Sequence, residues 1–203
     1  MAAIVPPKKS IRAFASEQAF ETWLEAHHDK QSELYLRIYK KGSGVPTISY
    51  AQALDVALCW GWIDGLKKSY DAQSFLQRFT PRRSKSVWSQ INREHVARLI
   101  ADKRMTPHGL RHIEAAKADG RWATAYAGSA KLELPEDLLS AIRAEPKAFK
   151  TFQTLDKANR YALGFRLGAL KTAAGRSKKI AAFVELLKRG KTVHPMAKRN
   201  TPL

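Results

Sequence analysis

Cysteine is nearly absent from this sequence, in which Cys59 is the only one among 203 residues. No intramolecular disulfide can form, and nothing indicates an oxidising compartment. Long apolar runs are also missing, since none approaches the roughly 20 residues that a membrane-spanning helix needs. The opening MAAIVPPKKSIR lacks the apolar central segment of a secretory signal, because Pro6 and Pro7 interrupt its short apolar stretch. These features predict a cytoplasmic protein without a transmembrane segment.

Acidic residues are scarce relative to basic ones. The chain has 36 Lys and Arg against 18 Asp and Glu, a formal net charge of +18. A field of this sign attracts nucleic acids, anionic lipid headgroups or acidic metabolites. From Lys157 to the end there are twelve basic residues and one acidic residue, Glu185. The charge favours an anionic partner, and a basic surface that serves only solubility is the open alternative.

Hydrophobic periodicity predicts a small α+β unit in the first third of the chain. Ser16 caps an amphipathic helix, and ELYLRIYK alternates apolar and polar residues as a half-buried strand does. Ser49 caps a second helix, which Gly61 ends. WIDGLKKSY and FLQRFT, joined by DAQS, predict a β-hairpin.

The remainder of the sequence predicts helices. Asn92 is expected to cap REHVARLIADK, and Thr106 with Pro107 to begin the next helix. The fold class is therefore α+β, with a small antiparallel or mixed sheet and helices at the N-terminus and a mainly helical C-terminal half. The predicted domains are an α+β unit with its following helices, a helical C-terminal region and a flexible basic tail, at residues 11–130, 131–191 and 192–203.

Several sequence blocks carry a family resemblance. They are YAQALDVALCWGWIDG, FLQRFTPRRSKSVWSQIN, LIADKRMTPHGLRHIEAAKADGRW and the C-terminal stretch from LPEDLLSAIRAEPKAFKTFQTLDKANRY through GRSKKIAAFVELL. From about Phe20 to Lys191 the chain resembles the YdeI/OmpD-associated family of bacterial proteins. That resemblance implies a role in stress or in protection against bacteriocins and antimicrobial peptides, and an association with an outer-membrane porin. It implies no catalytic mechanism. Residues 173–175, Ala-Ala-Gly, depart from the family's Glu-Thr-Arg-like step, so no role of that step carries over.

The net charge limits how such protection could work. Bacteriocins and antimicrobial peptides that act on membranes are commonly cationic, and a protein of charge +18 repels them at long range. Direct sequestration is thus disfavoured. An indirect role through an anionic partner is expected.

The hairpin holds the richest candidate site. If paired positions sum to about 145, Asp64 lies opposite Pro81 and beside Arg82, and Lys67 lies opposite Arg78. A structural ion pair at Asp64 is favoured over the alternative, an arginine oriented toward a bound phosphate or carboxylate. The hypothetical ligand-binding residues are Trp62, Asp64, Arg82, Arg83 and Trp88. No catalytic residue is predicted, since no second acid, base or nucleophile is placed near Asp64.

Other reactive side chains receive structural interpretations. Cys59 near a helix C-terminus is expected to be a buried packing residue. His108 and His112 are four apart, but no further cluster supplies ligands, so neither a metal nor a cofactor is predicted. The hypothetical surface for an anion or nucleic acid comprises Lys67, Arg78, Arg176, Lys178 and Lys179. The last three belong to a longer run of C-terminal basic residues that also includes Arg160 and Arg166.

The sequence therefore favours a non-enzymatic cytoplasmic stress or bacteriocin-protection factor that binds an anionic partner. Two alternatives stay open. One is a sequence-nonspecific nucleic-acid-binding protein, although no Gly-rich phosphate loop, zinc finger or RNA-binding aromatic signature is present. The other is an enzyme that acts on a small acidic metabolite through the Trp62–Trp88 region.

Overall fold

The computed structural model describes residues 6–7, 10–126, 133–168, 170 and 172–196. The chain divides into two compact units, Met1–Ala125 and Tyr126–Leu203. The elements of the first are β1 (Ile11–Arg12), α1 (Glu17–His27), β2 (Leu34–Tyr39), α2 (Tyr50–Cys59), β3 (Trp62–Ser69), β4 (Ser74–Pro81), α3 (Gln90–Ala101) and α4 (Pro107–Ala118). Those of the second are α5 (Glu136–Arg143), α6 (Pro146–Gln153), α7 (Lys157–Gly168) and α8 (Ala173–Lys188).

The described strands form one mixed sheet in the order β1-β2-β4-β3. β1 pairs parallel with β2, and the other neighbours pair antiparallel. Leu34, Leu36 and Ile38 alternate onto the face that α1 and α2 cover, where they join a core containing Phe20, Leu24, Val56, Trp62 and Phe79. The α+β prediction is confirmed. The two-residue strand β1 was not predicted, because so short a segment has no periodicity to detect.

Helix starts follow the predicted caps with one exception. Ser16, Ser49 and Thr106 each accept a hydrogen bond from the first turn of their helix. The prediction that Asn92 caps α3 is wrong. The Ser89 hydroxyl accepts from the Asn92 amide instead, so α3 begins one turn earlier.

A second core lies between α2, α3 and α4, around Leu58, Trp88, Leu99 and Ile113. Here the C-terminus of α2 meets the N-terminus of α4. Thr106, the N-cap of α4, donates through Oγ1 to the Cys59 carbonyl oxygen at 2.6 Å. The Cys59 carbonyl at the end of α2 is thereby satisfied by the N-cap of the next helix.

The C-terminal unit packs α5, α6, α7 and α8 around its own apolar core. Its buried members are Leu138, Ile142, Ala148, Phe152, Leu155, Leu163, Leu167, Phe183 and Leu187. On α8, Ile180 and Val184 pack beside the buried Phe183 and Leu187, so one face of the helix is apolar. In the part of the chain that the structure describes, no helix combines the length and apolar character needed to cross a bilayer.

Two predicted boundaries fall on positions outside the described residues. The proposed domain limit at residue 130 lies within 127–132, and most of the proposed tail lies within 197–203. These limits stay predictions.

Candidate functional site

The predicted hairpin register is wrong. Asp64 lies opposite Phe79 rather than Pro81, and Lys67 lies opposite Gln77 rather than Arg78. An irregularity between Asp64 and Lys67 shifts the pairing, so the residue numbers of paired positions do not have one constant sum along the hairpin. Gln77 is 3% exposed, and its Nε2 donates to the Gly65 carbonyl at the irregularity, at 2.9 Å.

Asp64 has a tyrosine as its hydrogen-bond partner. Tyr50 begins α2, which packs on β3, and its hydroxyl donates to Asp64 Oδ2 at 2.7 Å. Burial, together with this bond to the carboxylate, raises the pKa of Tyr50 well above its usual range. The carboxylate of Asp64 thus ties the N-terminus of α2 to β3.

Arg82 is stacked inside the N-terminal unit. It is 5% exposed, its Cζ lies 3.6 Å from the Trp88 ring centroid, and its Nη2 donates to the Val87 carbonyl at 2.8 Å. Trp88 in turn meets Trp122 edge-on at 4.9 Å. This burial supports the structural interpretation of Arg82 over the ligand-binding one.

Trp62 and Trp88 lie in different cores. Trp62 packs with α1 and β2, and its Nε1 donates to the His28 carbonyl at 3.1 Å, whereas Trp88 belongs to the α2–α3–α4 core. They are 1% and 2% exposed. The geometry therefore makes both indoles packing residues. Arg83 alone among the five hypothetical ligand-binding residues has an exposed side chain.

Lys67 and Arg78 do not form one surface. Lys67 shares its face of the sheet with Gln77, and its Nζ lies 4.1 Å from the Phe75 ring centroid. Arg78 projects to the opposite face, where its Nε donates to Glu33 at 2.9 Å. One cation of this pair is therefore already paired with a carboxylate.

Two histidines that are distant in sequence meet at the ends of their helices. His28 donates through Nδ1 to the Leu24 carbonyl, which leaves its Nε2 to accept from His108 Nδ1 at 3.1 Å. The His108 ring also stacks on Trp60. The spacing in the sequence suggested His108 and His112 as neighbours. It could not show the contact between His28 and His108, which joins the end of α1 to α4. Within the described ranges, no three His, Cys, Asp or Glu side chains cluster closely enough to hold a metal ion.

We expect the N-terminal unit to lose stability as the pH falls below about 6.5. Burial, with added repulsion from His28 and Arg111, lowers the pKa of His108, and burial with Arg111 lowers that of His112. The unfolded chain then binds more protons than the folded one, so stability rises with pH across this window and is lost on acidification. Thermal unfolding followed by tryptophan fluorescence reports this unit alone, because all five tryptophans precede residue 126. His112→Gln should lose less stability between pH 7.5 and 5.5, and an unchanged loss would refute the assignment.

Cys59 is a packing residue. It is 1% exposed, and burial raises the pKa of its thiol to about 12. At neutral pH the group is therefore a thiol and a weak nucleophile, in agreement with the structural interpretation.

In the C-terminal unit, several basic side chains hold helices together. Arg176 forms a bidentate contact with Asp137 at 2.6 and 2.8 Å and so ties α8 to α5. Arg160 donates to the Phe152 and Gln153 carbonyls at the end of α6 and to the Leu155 carbonyl just beyond it, the last at 3.2 Å. The inclusion of Arg176 in the hypothetical anion surface did not foresee this carboxylate partner, because a contact between distant helices leaves no local sequence signal.

A groove remains in which cations surround apolar groups. It has a volume of about 530 Å³ and is lined by Phe165, Arg166, Leu170, Gly175, Lys178, Lys179 and Ala182. Among the described residues, none of its three cations forms an ion pair. Lys179 lies 5.3 Å from the Phe183 ring centroid. Lys178 and Lys179 were predicted, whereas Phe165 and Leu170 complete the lining only through the packing of α7 near α8.

The protein thus combines an α+β unit, stabilised by buried aromatic and arginine contacts, with a helical unit that carries a cationic groove. Two family descriptions match it. Residues 12–112 match a domain of unknown function, DUF8412, and residues 131–190 match the family described as Bacteriocin-protection, YdeI or OmpD-Associated. No curated protein and no solved structure gives a significant match.

Residues 131–190 are similar to the Bacteriocin-protection, YdeI or OmpD-Associated family. The predicted resemblance is confirmed there. The GWIDG and FTPRR blocks, which were also attributed to this family, fall within the DUF8412 match. The residues that line the groove lie within the segment that matches this family.

Proposed function

We propose that the protein is a non-enzymatic cytoplasmic stress or bacteriocin-protection factor that acts by binding an anionic partner in the groove between α7 and α8. The observation that carries this proposal is the groove lining, in which Arg166, Lys178 and Lys179 surround apolar side chains without a described carboxylate partner. The family description at residues 131–190 supports a role in protection.

The partner that best fits this lining is an acidic protein segment in which carboxylates accompany apolar side chains. Carboxylates would meet the three cations, and apolar side chains would cover Phe165 and Leu170. A nucleic acid would use the cations through its phosphates, but the apolar lining adds little to a phosphate contact. The net charge of +18 disfavours a cationic peptide, so protection is indirect.

Removal of two groove cations should weaken binding of such a segment. The probe is a fluorescein-labelled peptide rich in Glu and Leu, titrated by fluorescence anisotropy at 0.1 M salt. For Lys178→Gln/Lys179→Gln we expect Kd to rise by about tenfold, which corresponds to roughly 0.7 kcal/mol from each exposed charge. The same peptide with Gln in place of Glu should bind weakly or not at all.

A matched variant separates the groove from net charge. Lys147 and Lys150 are exposed on α6 of the same unit and do not line the groove, so Lys147→Gln/Lys150→Gln removes the same charge elsewhere. We expect about a twofold change or less. Equal losses in both double variants would assign binding to net charge and overturn the proposal. Tighter binding of single-stranded DNA than of the peptide would favour the nucleic-acid function instead.

A further inference from the structure

A second cavity lies in the N-terminal unit, apart from every residue predicted to bind a ligand. Its volume is about 400 Å³, and its lining includes Arg12 of β1, Trp23 of α1 and the segment 31–34 that leads into β2. This volume is within the range of small-molecule sites. Among the described residues, the lining mixes one cation, one carboxylate, neutral polar side chains and an indole.

The charges of the lining leave one cation available. Glu33 is engaged by Arg78, whose Nε lies 2.9 Å from its carboxylate. Arg12 forms no ion pair within the described residues, and its Cζ lies 6.0 Å from the Trp23 ring centroid. The cavity therefore presents a guanidinium whose charge is not met by a carboxylate, which suits a ligand with a single negative charge.

Trp23 supplies a flat aromatic wall of the cavity. The Trp23 ring stacks on the His27 ring, with 4.8 Å between the ring centroids and an interplanar angle of 6°, and this contact holds the orientation of the indole. Its Nε1 is buried, so the part of Trp23 that lines the cavity is the ring and not this donor.

We propose that this cavity binds a small monoanionic carboxylate with a flat apolar body. The Arg12 guanidinium receives the carboxylate through paired N–H donors, and the Trp23 indole packs beside the apolar body. Gln31 and Ser32 supply neutral polar contacts at the lining. This site is independent of the groove between α7 and α8, since the two share no residue.

Isothermal titration calorimetry with benzoate and indole-3-acetate tests the proposal. At least one acid should bind saturably. Its neutral amide, benzamide or indole-3-acetamide, should bind at least about tenfold more weakly, because the charge-assisted hydrogen bonds to Arg12 are lost. Arg12→Gln should weaken the acid by a similar factor. Lys85→Gln, which removes an exposed charge of the same unit away from the cavity, should leave the affinity unchanged.

A second variant tests the indole. Trp23→Leu keeps an apolar side chain and removes the flat ring, so the acid should bind more weakly while Arg12 is intact. Three results would overturn the proposal: no saturable binding of either acid at millimolar concentration, equal binding of acid and amide, or equal affinity of the wild-type chain and Arg12→Gln. Tighter binding of phenyl phosphate than of benzoate would contradict the assignment to a carboxylate. Lys178→Gln/Lys179→Gln should not affect this affinity, so the two proposals can fail separately.

Discussion

Gly109→Ala is expected to lower the free energy of unfolding of the N-terminal unit by about 3 kcal/mol, near the upper end for overpacking. A Cβ atom at this position would clash with the Cys59 carbonyl oxygen and lie 2.8 Å from the Leu58 carbonyl oxygen. Both are backbone atoms at the end of α2, so they cannot turn aside as a side chain can. The junction of α2 with α4 would have to open, and the Thr106 hydrogen bond to Cys59 would be strained with it.

Urea unfolding followed by tryptophan fluorescence measures this loss, because every tryptophan lies in the affected unit. Gly65→Ala is the control. Its Cβ would lie 3.7 Å from the Arg78 carbonyl oxygen, an ordinary contact distance, so we expect a change within about 0.5 kcal/mol. A Gly109→Ala protein as stable as wild type would show that the two helices do not approach as closely as described.

Arg82→Ala is expected to destabilise the same unit by about 3–4 kcal/mol. The substitution removes a buried cation–π stack, worth about 2 kcal/mol when desolvated, and a charged hydrogen bond to Val87, worth about 1.5 kcal/mol or more. Arg82→Lys should recover only part of this stability, since an ammonium lacks the planar group that stacks on Trp88.

The neighbouring residue provides the control for Arg82. Arg83 has an exposed side chain, and the backbone amide that donates to Ser86 survives its truncation, so Arg83→Ala should change stability by less than about 0.5 kcal/mol. If Arg82→Ala proved as mild as Arg83→Ala in the same urea experiment, the structural role of Arg82 would be refuted and the ligand-positioning hypothesis would regain support.

Local sequence signals predicted most elements of the fold. Ser16, Ser49 and Thr106 mark helix starts because a cap is a contact within one turn, and the alternation of Leu34, Leu36 and Ile38 marks β2 because its period is local. The hairpin register was not predictable in the same way. The register depends on an irregularity between Asp64 and Lys67, where the Gln77 side chain of the partner strand donates a hydrogen bond to the Gly65 carbonyl.

The candidate sites depend on contacts between distant segments, and sequence reasoning found only parts of them. Lys178 and Lys179 were identified from their charge, but the carboxylate that occupies Arg176 lies 39 positions away along the chain. Likewise, the sequence placed Arg82 and Trp88 together in one hypothetical ligand-binding site. Their burial against each other, rather than around a ligand, follows from the packing of α3 and α4.

We propose above that an anionic partner binds in the groove between α7 and α8. Chemical-shift mapping by NMR, with the Glu- and Leu-rich peptide added to the 203-residue protein, tests this proposal most directly. We expect the largest amide shifts at Phe165, Arg166, Lys178 and Lys179, with small shifts at Lys147 and Lys150. Shifts of equal size at the basic residues of α6 and α8 would contradict it, because they would show diffuse attraction to net charge instead of a defined site.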